Sequence, residues 1–451
     1  INIYLYYIMS GYLENVTIQP SNTISTGVIS HRSGNNIIEF IIPESNRLIV
    51  PGSLRICGNI QIFKDQATPP NIPKESDTVN ISPKLGIHSI IESVHLSSQV
   101  NKNSIENIRN YGRMLASMLP NIGSKYEAMS SLSTTSGMLP NIEGQRLSFV
   151  NNLNGSSGAV TYSGNSFCIP LYSGLTQSKE PIPLSDEGWG IGGLNISINI
   201  AADSMALYAP NNVNAFYQLS DVTLVCELAT PSMDELSRLM NQTSATLEYN
   251  AYSSFYQSIA STNAIINFNI AQPRVISFFA NFIPATYLNN LNYNSYNTLP
   301  LINELSTGTI APIKQIVVQR GGEKIGIGYN LNTNVRTDST SRIADPNLVR
   351  NLMNSFSTES FGDIKLSQVS PITNNRIGFN ATQINQFADA GLTFGVGFNL
   401  DQISESGIDF RRKALTIAME TGLVSGLSHG VFLYVLSKHT LVMSKNGLQV
   451  L

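Results

Sequence analysis

Three stretches of this 451-residue chain have residue types and spacings that could do chemistry. Gly188-Trp189-Gly190-Ile191-Gly192-Gly193 satisfies the dinucleotide fingerprint as a string. That fingerprint works where its glycines lead from a strand into a helix, whose N-terminus receives the pyrophosphate. Here they lead into Leu194, Ile196, Ile198 and Ile200, interleaved with Asn195, Ser197 and Asn199, a strand pattern of period two. The string reads as a turn. Gly426-Leu427-Ser428-His429-Gly430 has the spacing of a nucleophile elbow, which is a strand-to-helix turn followed in sequence by an acid and a histidine. This serine precedes a strand, no Asp or Glu follows it, and His439 alone cannot complete a triad. His88 and His95 flank Glu92, but on a strand residues seven apart point to opposite faces and cannot share an ion. With five histidines and no cysteine pair at ligand spacing, no zinc site is indicated. Spacing singles out no pair of carboxylates for glycoside hydrolysis. No catalytic, cofactor-binding or metal-ligating residue is therefore assigned, and no cofactor is expected.

The elements that hold these motifs are strands. Phe167 to Ile200 reads as a strand (Phe167, Ile169 and Leu171 in alternation), a long surface loop with a second Ile-Pro-Leu, and the alternating strand Leu194–Ile200. Pro170 and Pro183 cannot donate to a ladder, so they mark strand ends or sheet edges. No helix is needed between the two strands, which predicts an antiparallel sheet.

Composition agrees. Charged residues are 13% of the chain against about 25% in an average soluble protein. Gly, Pro, Tyr, Phe, Asn and Ser are plentiful, as suits many strands joined by turns, with amides and hydroxyls at the surface. A surface of few ions is easier to bury against a neighbour. A secreted β-rich protein has a similar composition. The net charge of −3 provides no global basic field for nucleic acid. Before Pro51 the chain offers only Arg32 and Arg47 against Glu14, Glu39 and Glu44. Cys57, Cys168 and Cys226 cannot all pair within one chain, and each lies in or beside an apolar strand pattern, where a free cysteine is expected as a small core residue. No apolar run reaches the ~18 residues of a membrane span. INIYLYYI lacks a basic n-region and a clear cleavage site. Residues 1–8 are expected to lie upstream of the mature protein, which would start at Met9.

In order, the chain divides into two similar halves. Residues 1–33 are expected to be a loose arm. Strands are predicted at Ile38–Ile42, Leu54–Ile62, residues 86–100 and Val222–Leu228, with a surface loop over Thr68–Pro83. Ser104 is placed to cap a helix bearing Ile105, Ile108, Tyr111, Leu115 and Leu119 on one face. Residues 120–165, rich in Ser and Gly, are expected to be an exposed excursion. Pro231 ends the first half, and Ser232-Met-Asp-Glu235 is a capping box for a helix to about Asn241, with Leu236 and Leu239 on one side. The second half repeats the grammar. Ile266, Phe268 and Ile270 alternate, and an aromatic run follows through Phe278, Phe279 and Phe282. Ile313–Gln319 and Lys324–Leu331 flank a Gly321-Gly322 hairpin turn, and Asp345-Pro346 starts a helix. Leu392 to Leu400 alternates, Phe410–Met419 has a helical pattern, and Val431–Met443 forms the final strand. The duplication is one of pattern, without a residue-level repeat.

The order Phe-x-Ile-Pro-Leu (Phe167–Leu171), small residues with Gly174-Leu175, Lys179, Ile182-Pro183-Leu184 and then the alternating strand resembles the major capsid proteins of virophages and polinton-like viruses. The resemblance spans about residues 30–445. It implies an all-β fold of two consecutive eight-stranded antiparallel jelly-rolls with a few short helices, residues 34–230 and 244–451, joined by a linker helix at 231–243 after an N-terminal arm, 1–33. It further implies a structural protein, not an enzyme, that forms trimeric pseudo-hexagonal capsomers of an icosahedral shell. Its partners would be two further copies, neighbouring capsomers, a penton protein and minor capsid proteins, with no direct sequence-specific nucleic-acid contact and no transmembrane segment. The reading from another class is a secreted β-sandwich carbohydrate-binding or adhesive protein. A secretion signal or evenly paired cysteines would have favoured it. A β-sandwich glycosidase comes third.

Overall fold

A computed structural model describes residues 12–122 (without 23–26, 35, 69, 72–78 and 83–84), 165–296 (without 210–213 and 261–262), 313–325, 336–337, 342–343, 351–352, 354–356, 395–400, 406–421 and 428–451. Every ladder in it is antiparallel. Among the described residues, strands of four or more residues number eight before residue 230 and eight after residue 243.

The first eight are β1 (Leu13–Ile18), β2 (Ile37–Ile42), β3 (Arg55–Phe63), β4 (Ile91–Ser98), β5 (Ser104–Ile108), β6 (Asn165–Pro170), β7 (Leu194–Ile200) and β8 (Phe216–Ala229). One sheet runs from the short Ile182–Pro183 bridge through Leu48–Ile49, β8 and β3 to β6, with β1 also on β8. The facing sheet has the order β2-β7-β4-β5. Alternation decides which side faces in: β2 and β7 bury every second residue, among them Phe40, Ile42, Ile196 and Ile198. A one-residue slip would turn that whole set outward, so the pattern fixes the register. Pro170 and Pro183 end up at the two edges of the first sheet, as their missing N–H requires.

The second eight are β9 (Ser244–Ile259), β10 (Asn263–Phe268), β11 (Val275–Pro284), β12 (Ile313–Arg320), β13 (Gly395–Asn399), β14 (Leu415–Thr421), β15 (His429–Ser444) and β16 (Gly447–Val450). They form one sheet of order β9-β15-β11-β13, with β16 on β15, and another of order β10-β14-β12 ending in the short Glu323–Lys324 strand across the Gly321-Gly322 turn. No ladder among the described residues joins a strand before 230 to one after 243.

Several expectations are corrected by tertiary pairing. The arm is not loose, since β1 pairs along β8 from Leu13↔Ala229 to Ile18↔Leu224. Ser104 does not cap a helix: residues 104–108 pair with β4 as a strand, and the helix α1 starts only at Tyr111 and runs to Ile122. Residues 86–90 form a 3-10 helix before β4 begins. Phe410–Met419 is no helix, because from Leu415 the chain runs as β14 between β10 and β12. In these segments apolar residues at helical spacing also satisfy a strand, and the partner strand decides. Within Thr68–Pro83, Val79, Ile81 and Ser82 are buried, and Asn80–Ile81 pairs with Leu207–Tyr208. Val431–Met443 is not the final strand, since β16 turns back on it. The loop from Leu171 to Gly193 is largely buried, and β6 and β7 on either side of it belong to different sheets. The junction helix forms as expected: α2 spans Met233–Met240, and the Ser232 hydroxyl accepts the Glu235 N–H. The excursion over residues 123–164, the Asp345-Pro346 helix start, residues 326–331 and Leu392–Phe394 lie outside the described residues. No helix among the described residues is long and apolar enough to cross a membrane.

Candidate assembly faces and the seam between the sandwiches

The sheet β9-β15-β11-β13 is covered on both sides, and β15 shows how. Val431, Leu433 and Val435 point into the core of the second sandwich, whereas Phe432, Tyr434 and Leu436 point the other way, into a core shared with the first half. Strands buried on both faces read as continuous apolar runs, as Val431 to Leu436 does. One apolar core thus extends from Phe40 and Ile196 through α1 to Phe279, Tyr434 and Leu441.

Polar groups close the seam at β5 and β9, each at the edge of its own sheet. Tyr249 Oη donates to the Ile105 carbonyl at 2.9 Å, and the Arg109 N–H donates to Ser254 Oγ at 3.1 Å. The fully buried Glu106 carboxylate joins three segments. Its Oε1 accepts the N–H groups of Gly174 (3.0 Å) and Tyr252 (3.1 Å), and its Oε2 accepts that of Leu175 (3.1 Å). Burial pushes this carboxyl above its ordinary range, while the backbone donors pull the other way. Gly174 has to be glycine: a Cβ there would stand 1.4 Å from the Asn250 carbonyl oxygen of β9.

Helix α1 is the wedge of the seam, with every residue from Tyr111 to Leu119 buried. The Arg113 guanidinium stacks over Phe432 at 4.6 Å and donates to Asn110 Oδ1 at 3.0 Å. Asn281 Nδ2 donates to the Arg113 carbonyl at 3.3 Å, and Tyr434 Oη donates to the Asn110 carbonyl at 2.9 Å. Opening the seam would strand these donors and acceptors as well as expose the apolar core, so the arrangement holds the two sandwiches as one block.

The sequence motifs fall into place as structure. Gly188 has φ +93° and lies against the backbone of Lys445 in the β15–β16 turn; the glycine string then enters β7, a strand. The fully buried Trp189 supports Leu236 and Leu239 of α2. Ser428 leads into β15, and its carbonyl accepts the Ala285 N–H. His88 is on the 3-10 helix rather than on a strand, fully buried, with its ring 5.8 Å from that of Tyr172, while His95 on β4 bonds Ser104. Among the described residues no three His, Cys, Asp or Glu side chains are grouped to hold a metal. Cys226 is buried in the core, but Cys57 and Cys168 are half-exposed on the outward face of their sheet, because they alternate with Ile56 and Ile169, which take the inward positions. The residues of the seam, Glu106, Arg113 and Gly174, carried one sequence signal: charges and a glycine inside otherwise apolar stretches.

The outward surfaces are amide-rich with isolated apolar residues. Ile37 and Ile41 are exposed on β2, and Ile265 is 72% exposed on β10; both strands are sheet edges. The β2 edge is partly covered by the arm, where Ser21 N–H donates to the Glu39 carbonyl at 2.7 Å and Asn22 Nδ2 to that of Ile37 at 2.8 Å. Blunting of this kind discourages uncontrolled strand addition. Arg32 pairs with Asp203 at 2.5 Å and Arg47 with Glu14 at 2.8 Å, so these two arginines are engaged within the chain.

Two antiparallel sandwiches of eight strands each, consecutive in one chain, define the double jelly-roll fold, and that is the fold of this protein. It is similar over its whole length to solved structures of that class. The capsid of the virus PBCV-1 superimposes with a TM-score of 0.58 at 9% identity, covering 98% of this chain and 97% of the other. The Faustovirus major capsid protein gives 0.58 at 10% identity, covering 97% and 91%. The Sputnik virophage structure gives 0.54 at 11% identity, covering 98% and 88%. No protein-family model and no curated protein matches the sequence.

Proposed function

We propose that the protein is the major capsid protein of an icosahedral DNA virus or virus-like element, placed in the virion shell and without enzymatic activity. Residues 34–230 and 244–451 are its two jelly-rolls, 231–243 the linker, and 1–33 an arm whose β1 supplies the eighth strand of the first. The observation that carries this reading is the two-way, nearly full-length likeness to capsid proteins of the double jelly-roll fold, which takes in both halves of the chain. The seam supports it, because a subunit that tiles a shell needs two sandwiches held as one block.

Three copies then make a pseudo-hexagonal capsomer, since three pairs of sandwiches approximate a hexagon. Neighbouring capsomers surround it, and a penton protein and minor capsid proteins complete the shell. Low charge lets the lateral faces be buried without stranding many ions. An obligate contact of this type buries upwards of ~2,000 Å². Because the association is apolar and amide-mediated, it is expected to survive raised salt. Light scattering at low and high ionic strength tests it: the expected mass is three times 49.1 kDa at both. A well-folded monomer at both salts would overturn the capsomer reading and favour a carbohydrate-binding sandwich.

A further inference from the structure

Cys57 on β3 and Cys168 on β6 are direct cross-strand partners, with their Sγ atoms 3.0 Å apart. The ladder defines what type of pair they are. The Leu171 N–H donates to the Leu54 carbonyl at 3.0 Å, and Pro170, opposite Arg55, has no N–H to give. Hydrogen-bonded and non-bonded pairs alternate along an antiparallel ladder. Leu54/Leu171, Ile56/Ile169 and Gly58/Phe167 are therefore the bonded pairs, and Arg55/Pro170, Cys57/Cys168 and Asn59/Ser166 the non-bonded ones. At a non-bonded pair the Cα atoms stand ~4.5 Å apart and the side chains are at their closest. A disulfide needs Cα atoms about 4.4–6.8 Å apart, so the pair can be bridged without moving the backbone.

Position favours the same two residues over the third. Cys57 and Cys168 are half-buried on the outward face of their sheet, whereas Cys226 is buried in the core. The neighbour of Cys57 on the β8 side is Thr223. We propose that Cys57 and Cys168 are an oxidation site, converted to a cross-strand disulfide by a small disulfide of the glutathione class. One cysteine thiolate attacks the small disulfide, forming a mixed disulfide and releasing one small thiol. The second cysteine thiolate then attacks the protein sulfur of the mixed disulfide and releases the other. Two protein thiols and one small disulfide thus become one protein disulfide and two small thiols. Burial, and after it the neighbouring Cys168, push the Cys57 thiol up to about 12, so the exchange is slow at neutral pH and quickens as pH rises. The bond would pin β6, the edge strand of its sheet, and would span 111 positions of sequence. Cross-links across long loops restrict the unfolded chain most.

The test uses the full-length protein, purified reduced, then incubated folded at mildly alkaline pH with oxidised glutathione. It is quenched in acid, unfolded, alkylated and weighed intact. The reduced protein is expected to take three alkyl groups and the oxidised protein one, with a peptide map joining the Cys57 and Cys168 segments. Cys226→Ser is expected to go from two groups to none. Cys57→Ser and Cys168→Ser are each expected to form no internal bridge. Three groups after oxidation, a stable glutathione adduct in place of the bridge, or a bridge containing Cys226 would each overturn the assignment.

Discussion

Two segments connect the sandwiches, and they are built in opposite ways. The covalent junction, α2, lies on the surface: Met233 is 80% exposed, none of its residues is fully buried, and only Leu236 and Leu239 reach down to Trp189. The seam buries Ile105, Glu106 and Ile108 of β5 and every residue of α1 from Tyr111 to Leu119, and carries Glu106 and Arg113 where apolar side chains would be expected. The chain passes from one half to the other through α2, but the halves are held together by residues that precede α2 by more than a hundred positions. A covalent link fixes proximity; burial with satisfied hydrogen bonds fixes orientation.

Glu106→Ala should separate the two most sharply. It removes the acceptor of three buried N–H groups, from Gly174, Leu175 and Tyr252, and unsatisfied buried donors cost about 1–3 kcal/mol each. A loss of about 3 kcal/mol or more is expected in urea denaturation, and Glu106→Gln, which keeps one acceptor oxygen, is expected to fall between wild type and alanine. A loss below ~1 kcal/mol for the alanine variant would show that this carboxylate does not hold the seam.

The next effect is on pH dependence. Burial lowers the His88 imidazole to about 3 from 6.5. The unfolded chain therefore takes up this proton below pH 6.5 while the folded chain stays neutral. The sign follows: the contribution is present above pH 6.5 and is lost as pH falls toward 3, at ~1.4 kcal/mol per unit. Wild type is expected to lose stability relative to His88→Gln at about that slope between pH 6 and 4. Groups common to both proteins, including Glu92 and Glu106, cancel in the difference. Parallel stability curves would mean His88 is not held neutral in the fold.

The smallest effect belongs to the junction. Ser232→Ala removes one cap bond, to the Glu235 N–H, and is expected to cost ~1 kcal/mol in the same denaturation assay. A loss as large as that of Glu106→Ala would erase the contrast between exposed link and buried seam.

What was legible in the sequence divides along the same line. Strands with one face on a core alternate, so β2, β3 and β7 could be read almost to the residue. The junction helix was legible because Ser232 and Glu235 form a local device. The seam was not, since β5 and α1 share apolar spacing that suits a helix throughout, and only the partner β4 makes residues 104–108 a strand. The same degeneracy made β14 look helical. Glu106 stands between Ile105 and Ile108 in a buried strand, which hinted at a specific partner without naming it. Gly174 sits within the doubled Ile-Pro-Leu stretch that carried the capsid resemblance, and its reason, the passage of β9 across it, is not local. The pairing of Cys57 with Cys168 likewise requires the register of two strands.

The buried seam also bears on how the protein is made. A ribosome delivers α1, with its apolar side chains and Arg113 still uncovered, long before β11 and β15, which pack on it. β15 begins about 300 residues after α1 ends, so at ~5–20 residues per second the surface of α1 waits on the order of 15–60 s for its last partner strand. Throughout that interval the first half has no second half against which to close, and α1 and the Glu106 carboxylate belong to an unfinished interior open to solvent.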